Sequence, residues 1–116
     1  MKKKETIKEK KLFTDIIHTG RFYRNKYFVI YYKKNENDSS YPLFGLAIMK
    51  KLGNAVHRNK LKRQVRNIID NNKKLFNKDY LYIIMLRKDV NLLNYDQMNQ
   101  YLIELLDEEN INEKNL

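Results

Sequence analysis

The chain has 116 residues, which is enough for one folded domain and too few for two ordinary hydrophobic cores. Its 24 Lys and Arg residues against 14 Asp and Glu residues give a formal net charge of +10, which favours a polyanionic partner. There is no cysteine, so disulfides, cysteine-ligated zinc and thiol catalysis are excluded. The longest apolar run, Tyr80 to Leu86, is too short to span a membrane. Because Glu5 to Lys10 follow the basic start where a signal peptide would be apolar, we expect a cytoplasmic protein.

The first predicted element is a helix over residues 6–18. Thr6 and Glu9 have the spacing of a capping box, and Gly20 is expected to end the helix. The apolar residues of this segment share one helical face, as an amphipathic helix requires. They are Leu12, Phe13, Ile16 and Ile17.

Aromatic and β-branched residues predict three strands after this helix. The first strand includes residues 22–23, and the second runs from Tyr27 to Tyr32 with apolar residues on both faces. A polar loop over residues 35–40 then leads to a third strand over residues 43–49.

A long second helix is predicted to begin after Asn54, as its N-cap, and to end near Asn71. Its apolar residues recur at helical spacing: Leu61, Val65, Ile68 and Ile69. A fourth strand over residues 80–86 should be buried on both faces, and a last helix near residues 95–106 has Asn94 as its cap. The order α-β-β-β-α-β-α predicts one α+β domain over residues 1–106, followed by a frayed acidic tail over residues 107–116.

The window of residues 50–66 is the most one-sided part of the sequence, with seven basic residues and no acidic residue. On a helix, five of its polar side chains would share an arc of roughly 140° beside the apolar stripe: Arg58, Asn59, Lys62, Arg63 and Arg66. Cations four residues apart repel one another, so a helix that needs only solubility would also carry glutamates. The window therefore predicts a phosphate-binding surface. It fits a membrane surface less well, because the apolar stripe is needed by the core.

Aromatic residues near this basic surface favour RNA over duplex DNA as the polyanion. Exposed rings stack on unpaired bases, and four rings of the first helix and strands are candidates: Phe13, Tyr27, Tyr31 and Tyr32. Each ring has the alternative role of a core residue, because strand alternation alone does not say which face is open.

Residues 50–66 read KKLGNAVHRNKLKRQVR. This window closely resembles the signature of the bacterial ribonuclease P protein family, in which a Gly-Asn-Ala-Val helix start is followed by Arg-Asn, Lys-Arg and Arg. The resemblance extends more loosely from Ile7 to about Leu106 and includes Gly20 and Arg87.

The resemblance implies an α-β sandwich with a left-handed crossover around the basic helix, which ordinary chirality rules would not predict. It implies removal of the 5′ leader from precursor tRNA, catalysed by the RNA subunit with magnesium at the RNA active site, and no required protein partner. The 5′ leader would be bound by Phe13, Ile17 and Tyr31. The catalytic RNA would be bound by Lys50, Lys51, Asn54, Arg58, Asn59, Lys62, Arg63 and Arg66.

The sequence departs from the family pattern at three places. Ile17 lies where relatives commonly have an aromatic residue, so stacking on the leader should be weaker there. Ile48-Met49 replaces a frequent Val-Ser, and Asp89 lies where a proline is usual. These differences concern individual contacts of the predicted sites.

The residue types also indicate that catalysis lies outside this chain. A protein nuclease needs a carboxylate cluster for metal ions or a histidine pair, whereas His18 and His57 fall on different predicted helices. We therefore predict no catalytic residue and no metal or cofactor site formed by protein side chains alone. A ribosomal or RNA-chaperone-like binding module with no processing role is the alternative, and the window of residues 50–66 favours the ribonuclease P subunit.

Overall fold

A four-stranded sheet with helices on both faces is the framework of the molecule, which we describe from a computed structural model. The structure describes the backbone of residues 1–114 and the side chains of residues 1–107. Its helices and strands are α1 (Lys10–Thr19), β1 (Arg21–Arg24), β2 (Phe28–Lys34), β3 (Leu43–Ala47), α2 (Ala55–Asn71), β4 (Tyr80–Leu86) and α3 (Tyr95–Lys114). Short 3-10 turns lie between them at Lys3–Glu5, Lys50–Leu52, Lys73–Leu75 and Lys88–Leu92. The predicted α+β class, with four strands and three helices, is confirmed.

The strands lie in the order β1-β2-β4-β3. β1 pairs with β2 and β2 with β4 in antiparallel fashion, whereas β3 and β4 are parallel neighbours. Parallel neighbours need a crossover connection, and α2 provides it. The left-handedness that the family resemblance implies for this crossover stays a prediction.

The two faces of the sheet belong to two separate apolar clusters. Phe28, Ile30 and Tyr32 of β2 join the larger cluster, which also contains the buried residues of α2 and α3. Tyr31 and Ile83 lie on the other face, in the smaller cluster under α1. Successive side chains of a strand point to opposite faces, so β4 and residues 28–32 of β2 carry apolar or aromatic side chains on both faces, as predicted.

The first helix begins later than the sequence predicts. Thr6 forms an isolated parallel bridge with Phe44 of β3, and the Ile7 amide donates a hydrogen bond of 2.7 Å to the Phe44 carbonyl. This pairing covers the outer edge of β3, which would otherwise carry unpaired backbone groups. The predicted capping box of Thr6 and Glu9 is therefore wrong, because a pairing with a strand distant in sequence holds this segment. The helix ends at Gly20, as predicted.

The caps of the other two helices agree with the sequence. The Asn54 side chain accepts a hydrogen bond of 2.9 Å from the His57 amide at the start of α2. Asn94 and Gln97 form reciprocal side-chain-to-backbone bonds at the start of α3. α3 continues to Lys114, well beyond the predicted end near residue 106. Residues 115–116 of the predicted frayed tail lie outside the described residues, and no helix in the described part is long and apolar enough to cross a membrane.

A partly buried ion pair joins the N-terminal segment to the connection that follows α2. The Glu5 side chain is only 5% exposed, and its carboxylate accepts hydrogen bonds from Lys73 Nζ at 2.8 Å and from the Lys2 amide at 3.0 Å. Burial by itself raises the pKa of Glu5, but these donors outweigh burial and the pKa is lowered. Asp70 also lies 3.6 Å from Lys73 Nζ.

Replacing Glu5 by Gln is expected to lower the free energy of unfolding at pH 7 by about 1 kcal/mol, because Lys73 is partly exposed and water screens the pair. A carboxylate with a lowered pKa stabilises the fold above its unfolded pKa, near 4.5, and loses this contribution as the pH falls through the folded value. The difference between the wild type and Glu5→Gln should therefore be constant from pH 6 to 8 and shrink below about pH 4.5. Urea unfolding across this range measures it, and a difference independent of pH would contradict the ion pair.

Candidate nucleic-acid interface

Helix α2 has one buried side and one basic side. Leu61, Val65, Ile68 and Ile69 are at most 3% exposed and pack into the larger cluster. The adjoining side carries the five polar residues predicted from the helical spacing, which we call the basic ridge: Arg58, Asn59, Lys62, Arg63 and Arg66. Asn59, Lys62 and Arg63 are exposed, whereas the two outer arginines are half-buried. The structure therefore brings these five residues together on one side of the helix.

The charges of the basic ridge are not neutralised within the described residues. The cations that form ion pairs among the described residues are Lys26, Lys33, Lys73 and the N-terminal amine. None of them belongs to the basic ridge. Asp70, the acidic residue of α2, pairs instead with the amine of Met1 and with Lys73. The full positive charge of the ridge is thus available to an external anion.

Arg58 provides a second indication that the ridge binds a group from outside the chain. Its Nε atom is buried and has no hydrogen-bond partner among the described residues. A buried donor without a partner is unfavourable, so an acceptor supplied from outside the chain would satisfy it. A phosphate bound at the ridge is such an acceptor.

The start of α2 depends on a glycine. Gly53 has φ 149° and ψ −173°, a conformation that only glycine adopts readily. A Cβ at this position would also lie 2.7 Å from His57 Cδ2. The strained turn sets Asn54 as the helix cap and places Lys50 and Lys51, both exposed, directly before the helix. The predicted ridge is thereby extended by two further cations at the amino end of α2, where the helix dipole also favours anions.

A hydrogen-bond bridge that the sequence did not reveal holds this turn. His57 Nε2 lies 2.7 Å from Asn91 Oδ1, and Asn91 Nδ2 donates to the Leu52 carbonyl at 3.0 Å. Asn91 belongs to the 3-10 turn Lys88–Leu92, so the bridge joins two turns distant in sequence. His57 thus helps to position the turn Lys50–Leu52, which we call the basic turn.

A second candidate surface lies on the opposite face of the sheet. Phe13 and Ile17 of α1 and Tyr31 of β2 are half-buried and pack against the same small cluster, which contains Ile16 and Ile83. The structure therefore brings together the three residues that the family resemblance assigns to the leader. These three residues lie on the face of the sheet opposite to α2. β3 and the turn Lys50–Leu52 after it connect this surface with the basic ridge along the chain.

The strand register continues this surface beyond α1. Val29 of β2 is paired with Met85 of β4, and Met85 is paired with Ala47 of β3. These residues form a row next to Tyr31, and the last two are half-buried. We call the surface formed by Phe13, Ile17, Tyr31 and this row the sheet groove. The sequence did not single out the row, because its members become neighbours only through strand pairing.

Two of the four predicted stacking rings belong to the other face. Tyr32 is 7% exposed and stacks between Tyr23 and Tyr80, with ring centroids 5.5 Å and 5.6 Å away. Tyr27 packs against Tyr101 of α3 at 4.6 Å. Both residues therefore contribute to the larger core and its border, whereas the other two rings lie in the sheet groove.

Gly45 of β3 makes room for Phe13 in the sheet groove. A Cβ at Gly45 would lie 2.7 Å from Phe13 Cε2 and 2.7 Å from Ile83 Cδ1. The ring of Phe13 thus lies directly over the β3 backbone. The glycine is required by this close approach and not by its own backbone angles.

Replacing Gly45 by Ala is expected to lower the free energy of unfolding by about 1–3 kcal/mol, because the new methyl group overpacks the space under α1. Urea unfolding measures the loss. In a Phe13→Ala background the same substitution should cost less, since one of the two crowded groups is gone. Equal losses in both backgrounds would show that Phe13 does not lie on Gly45.

The described residues contain no group of three or more His, Asp or Glu side chains that could hold a metal ion. A magnesium ion therefore has no carboxylate cluster to bind in this part of the chain, since Mg²⁺ prefers carboxylate and phosphate oxygens. The two surfaces present cations and rings, which are groups that bind RNA.

Comparison with known proteins gives one consistent family. The family model of Ribonuclease P matches residues 1–109. The chain is 42% identical over 111 residues to the ribonuclease P protein component of Mycoplasma mycoides, which covers 93% of this chain and 98% of that protein. It is 39% identical over 106 residues to the corresponding protein of Streptococcus pneumoniae, with 91% of this chain and 85% of that protein covered.

Solved structures show the same similarity in three dimensions. The ribonuclease P protein of Staphylococcus aureus superposes with a TM-score of 0.83 at 28% identity, covering 90% of this chain and 94% of that one. The protein of Thermotoga maritima superposes with a TM-score of 0.79 at 30% identity, covering 90% and 96%. These matches extend over most of each chain, so they concern the whole fold and not the basic window alone.

Proposed function

Because this chain belongs to the ribonuclease P protein family, we propose that its basic ridge binds the catalytic RNA and its sheet groove binds the 5′ leader of precursor tRNA. The family supplies the protein component of an RNA-based endoribonuclease that processes tRNA, and ribonuclease P RNA is its partner. The observation that carries the proposal is the basic ridge, with its cations on one side of α2 and no ion pair to a described acidic residue.

Binding of the catalytic RNA by the ridge follows from charge and geometry. Each cation that neutralises a phosphate releases condensed counterions, which makes the contact favourable at moderate salt. Arginine also offers several donors in a fixed plane that matches phosphate oxygens. Lys50 and Lys51, with Asn54 at the helix cap, extend the contact around the amino end of α2. Contacts of this kind position an RNA without reading its sequence.

Binding of the leader by the sheet groove follows from its half-exposed rings. Unpaired bases stack on aromatic side chains whatever their sequence, which suits a leader that differs between tRNA precursors. Tyr31 and Phe13 offer such rings, and Ile17 offers an apolar contact without a ring. The groove thus holds a single strand while the ridge holds the folded RNA.

Catalysis in this proposal belongs to the RNA subunit. Magnesium ions at the RNA active site would supply the charge stabilisation needed for cleavage of the phosphodiester bond. The protein side chains hold the RNA and orient the leader, and none transfers a proton or attacks the substrate. The proposal requires no further protein partner and places the complex in the cytoplasm.

A processing assay separates this proposal from a ribosomal or RNA-chaperone-like binding role. The chain is mixed with a ribonuclease P RNA and a precursor tRNA at low magnesium concentration, and release of the leader is measured. We expect the protein to raise the cleavage rate and the affinity for the precursor. Unchanged cleavage in its presence would favour a binding module without a role in processing.

The salt dependence of binding tests the ridge. Five or six phosphate contacts predict a slope of about −4 to −5 for log K against log salt concentration, at about −0.7 to −0.9 per contact. Replacing Arg66 or Lys62 by Ala should flatten this slope by about one unit. Lys78→Ala is the matched control, because Lys78 is an exposed lysine outside the basic ridge. It lines the same pocket as Asp38 and Asp79, which makes a phosphate contact there unfavourable. A slope like that of the wild type would exclude the substituted side chain as a phosphate contact.

Comparing precursor with mature tRNA tests the groove. Replacing Tyr31 by Ala should weaken binding of the precursor to the holoenzyme by about 1–3 kcal/mol, because one base loses its stacking partner. Binding of mature tRNA, which has no leader, should be unchanged. Tyr31→Phe, which keeps the ring, should bind both ligands like the wild type. Equal losses for precursor and mature tRNA would remove Tyr31 from the leader site.

A further inference from the structure

Strand β1 carries an exposed aromatic ring beside the sheet groove. Phe22 is 54% exposed, and its ring centroid lies 5.8 Å from that of Tyr31 at an interplanar angle of 48°. A large apolar ring this exposed contributes little to the core and is available to a ligand. Neither the family signature nor the predicted sites include it.

The register of β1 places a cation on the same face. Phe22 is paired with Tyr31 and Arg24 with Val29, so both β1 side chains lie on the face of the sheet groove. The residue between them, Tyr23, stacks on Tyr32 on the other face. β1 thus extends the sheet groove by one ring and one guanidinium.

The charges around β1 favour an anionic ligand. Residues 21–34 contain no Asp or Glu. Lys26 and Lys33 of this stretch have acidic partners elsewhere, at 3.8 Å and 2.8 Å, whereas Arg24 is exposed and forms no ion pair with a described residue. A second copy of the chain pairing along this edge would bring arginines of two β1 strands together, and like charges across a sheet are unfavourable.

We propose that Phe22 and Arg24 extend the leader site by one nucleotide. Phe22 stacks on the base one nucleotide farther from the cleavage site than the base on Tyr31, and Arg24 binds the adjoining phosphate. This inference rests on the proposed binding of the leader in the sheet groove. β1 is the strand farthest from β3 and the basic turn. A leader that enters beside this turn must therefore cross the sheet to reach β1. Only leaders above a minimum length should therefore engage Phe22.

The test measures affinity of the holoenzyme for precursor tRNAs whose leaders are lengthened one nucleotide at a time. Phe22→Ala should weaken binding by about five- to hundredfold for long leaders, as expected for one lost stacking partner. It should bind short-leader precursors and mature tRNA like the wild type. The leader length at which the loss appears should exceed the length at which Tyr31→Ala first has an effect. Arg24→Ala should flatten the salt slope by about one unit for long leaders only.

Two comparisons give this experiment a definite result. Phe22→Tyr keeps a ring and should bind like the wild type at every length. If Phe22→Ala has no effect, or acts at the same leader length as Tyr31→Ala, the inference is overturned, since the latter result means that Phe22 merely supports Tyr31. If Tyr31→Ala weakens binding of precursor and mature tRNA equally, the proposed binding of the leader in the sheet groove fails as well.

Discussion

The proposed binding of RNA depends on a row of like charges that the fold holds together on one helix, α2. Arg58, Lys62 and Arg66 follow one another at intervals of four residues, where cations repel by a few tenths of a kcal/mol per pair. The neighbouring apolar stripe of α2 is almost completely buried, and each large aliphatic side chain contributes about 1.5–3 kcal/mol by leaving water. Packing therefore outweighs the repulsion. The ridge remains charged in the folded protein, which is the condition for binding phosphates.

The sheet allows one small domain to present two different surfaces. Alternating side chains of β2 serve both: Tyr32 is buried in the larger core, and Tyr31 lies in the sheet groove. The ridge offers charge for a folded RNA, and the groove offers rings for a single strand. The turn Lys50–Leu52 joins them, because it follows β3 on one side and precedes α2 on the other. Both proposed RNA contacts are thus linked through one short segment.

Local signals in the sequence were sufficient for much of the fold. The periodicity of α2, the caps Asn54 and Asn94, and the apolar run of β4 depend on residues close together in the chain, and the structure agrees with each. The N-terminal segment was predicted wrongly, because the pairing of Thr6 with Phe44 joins distant residues and outweighs a local capping pattern. The extension of α3 beyond residue 106 was also not predicted, since its acidic and polar composition resembles that of a tail.

The sequence by itself determined the basic ridge, because charge and helical periodicity are local properties and place its five residues on one side of α2. Only the tertiary structure decided which rings lie in the groove, since the alternation of β2 is the same whichever face α1 covers. It also decided the bridge through Asn91, the contact of Gly45 with Phe13 and the position of Phe22 beside Tyr31. Each of these contacts joins residues from different elements. Strand register and helix packing bring such residues together, and no single segment of the chain determines either of them.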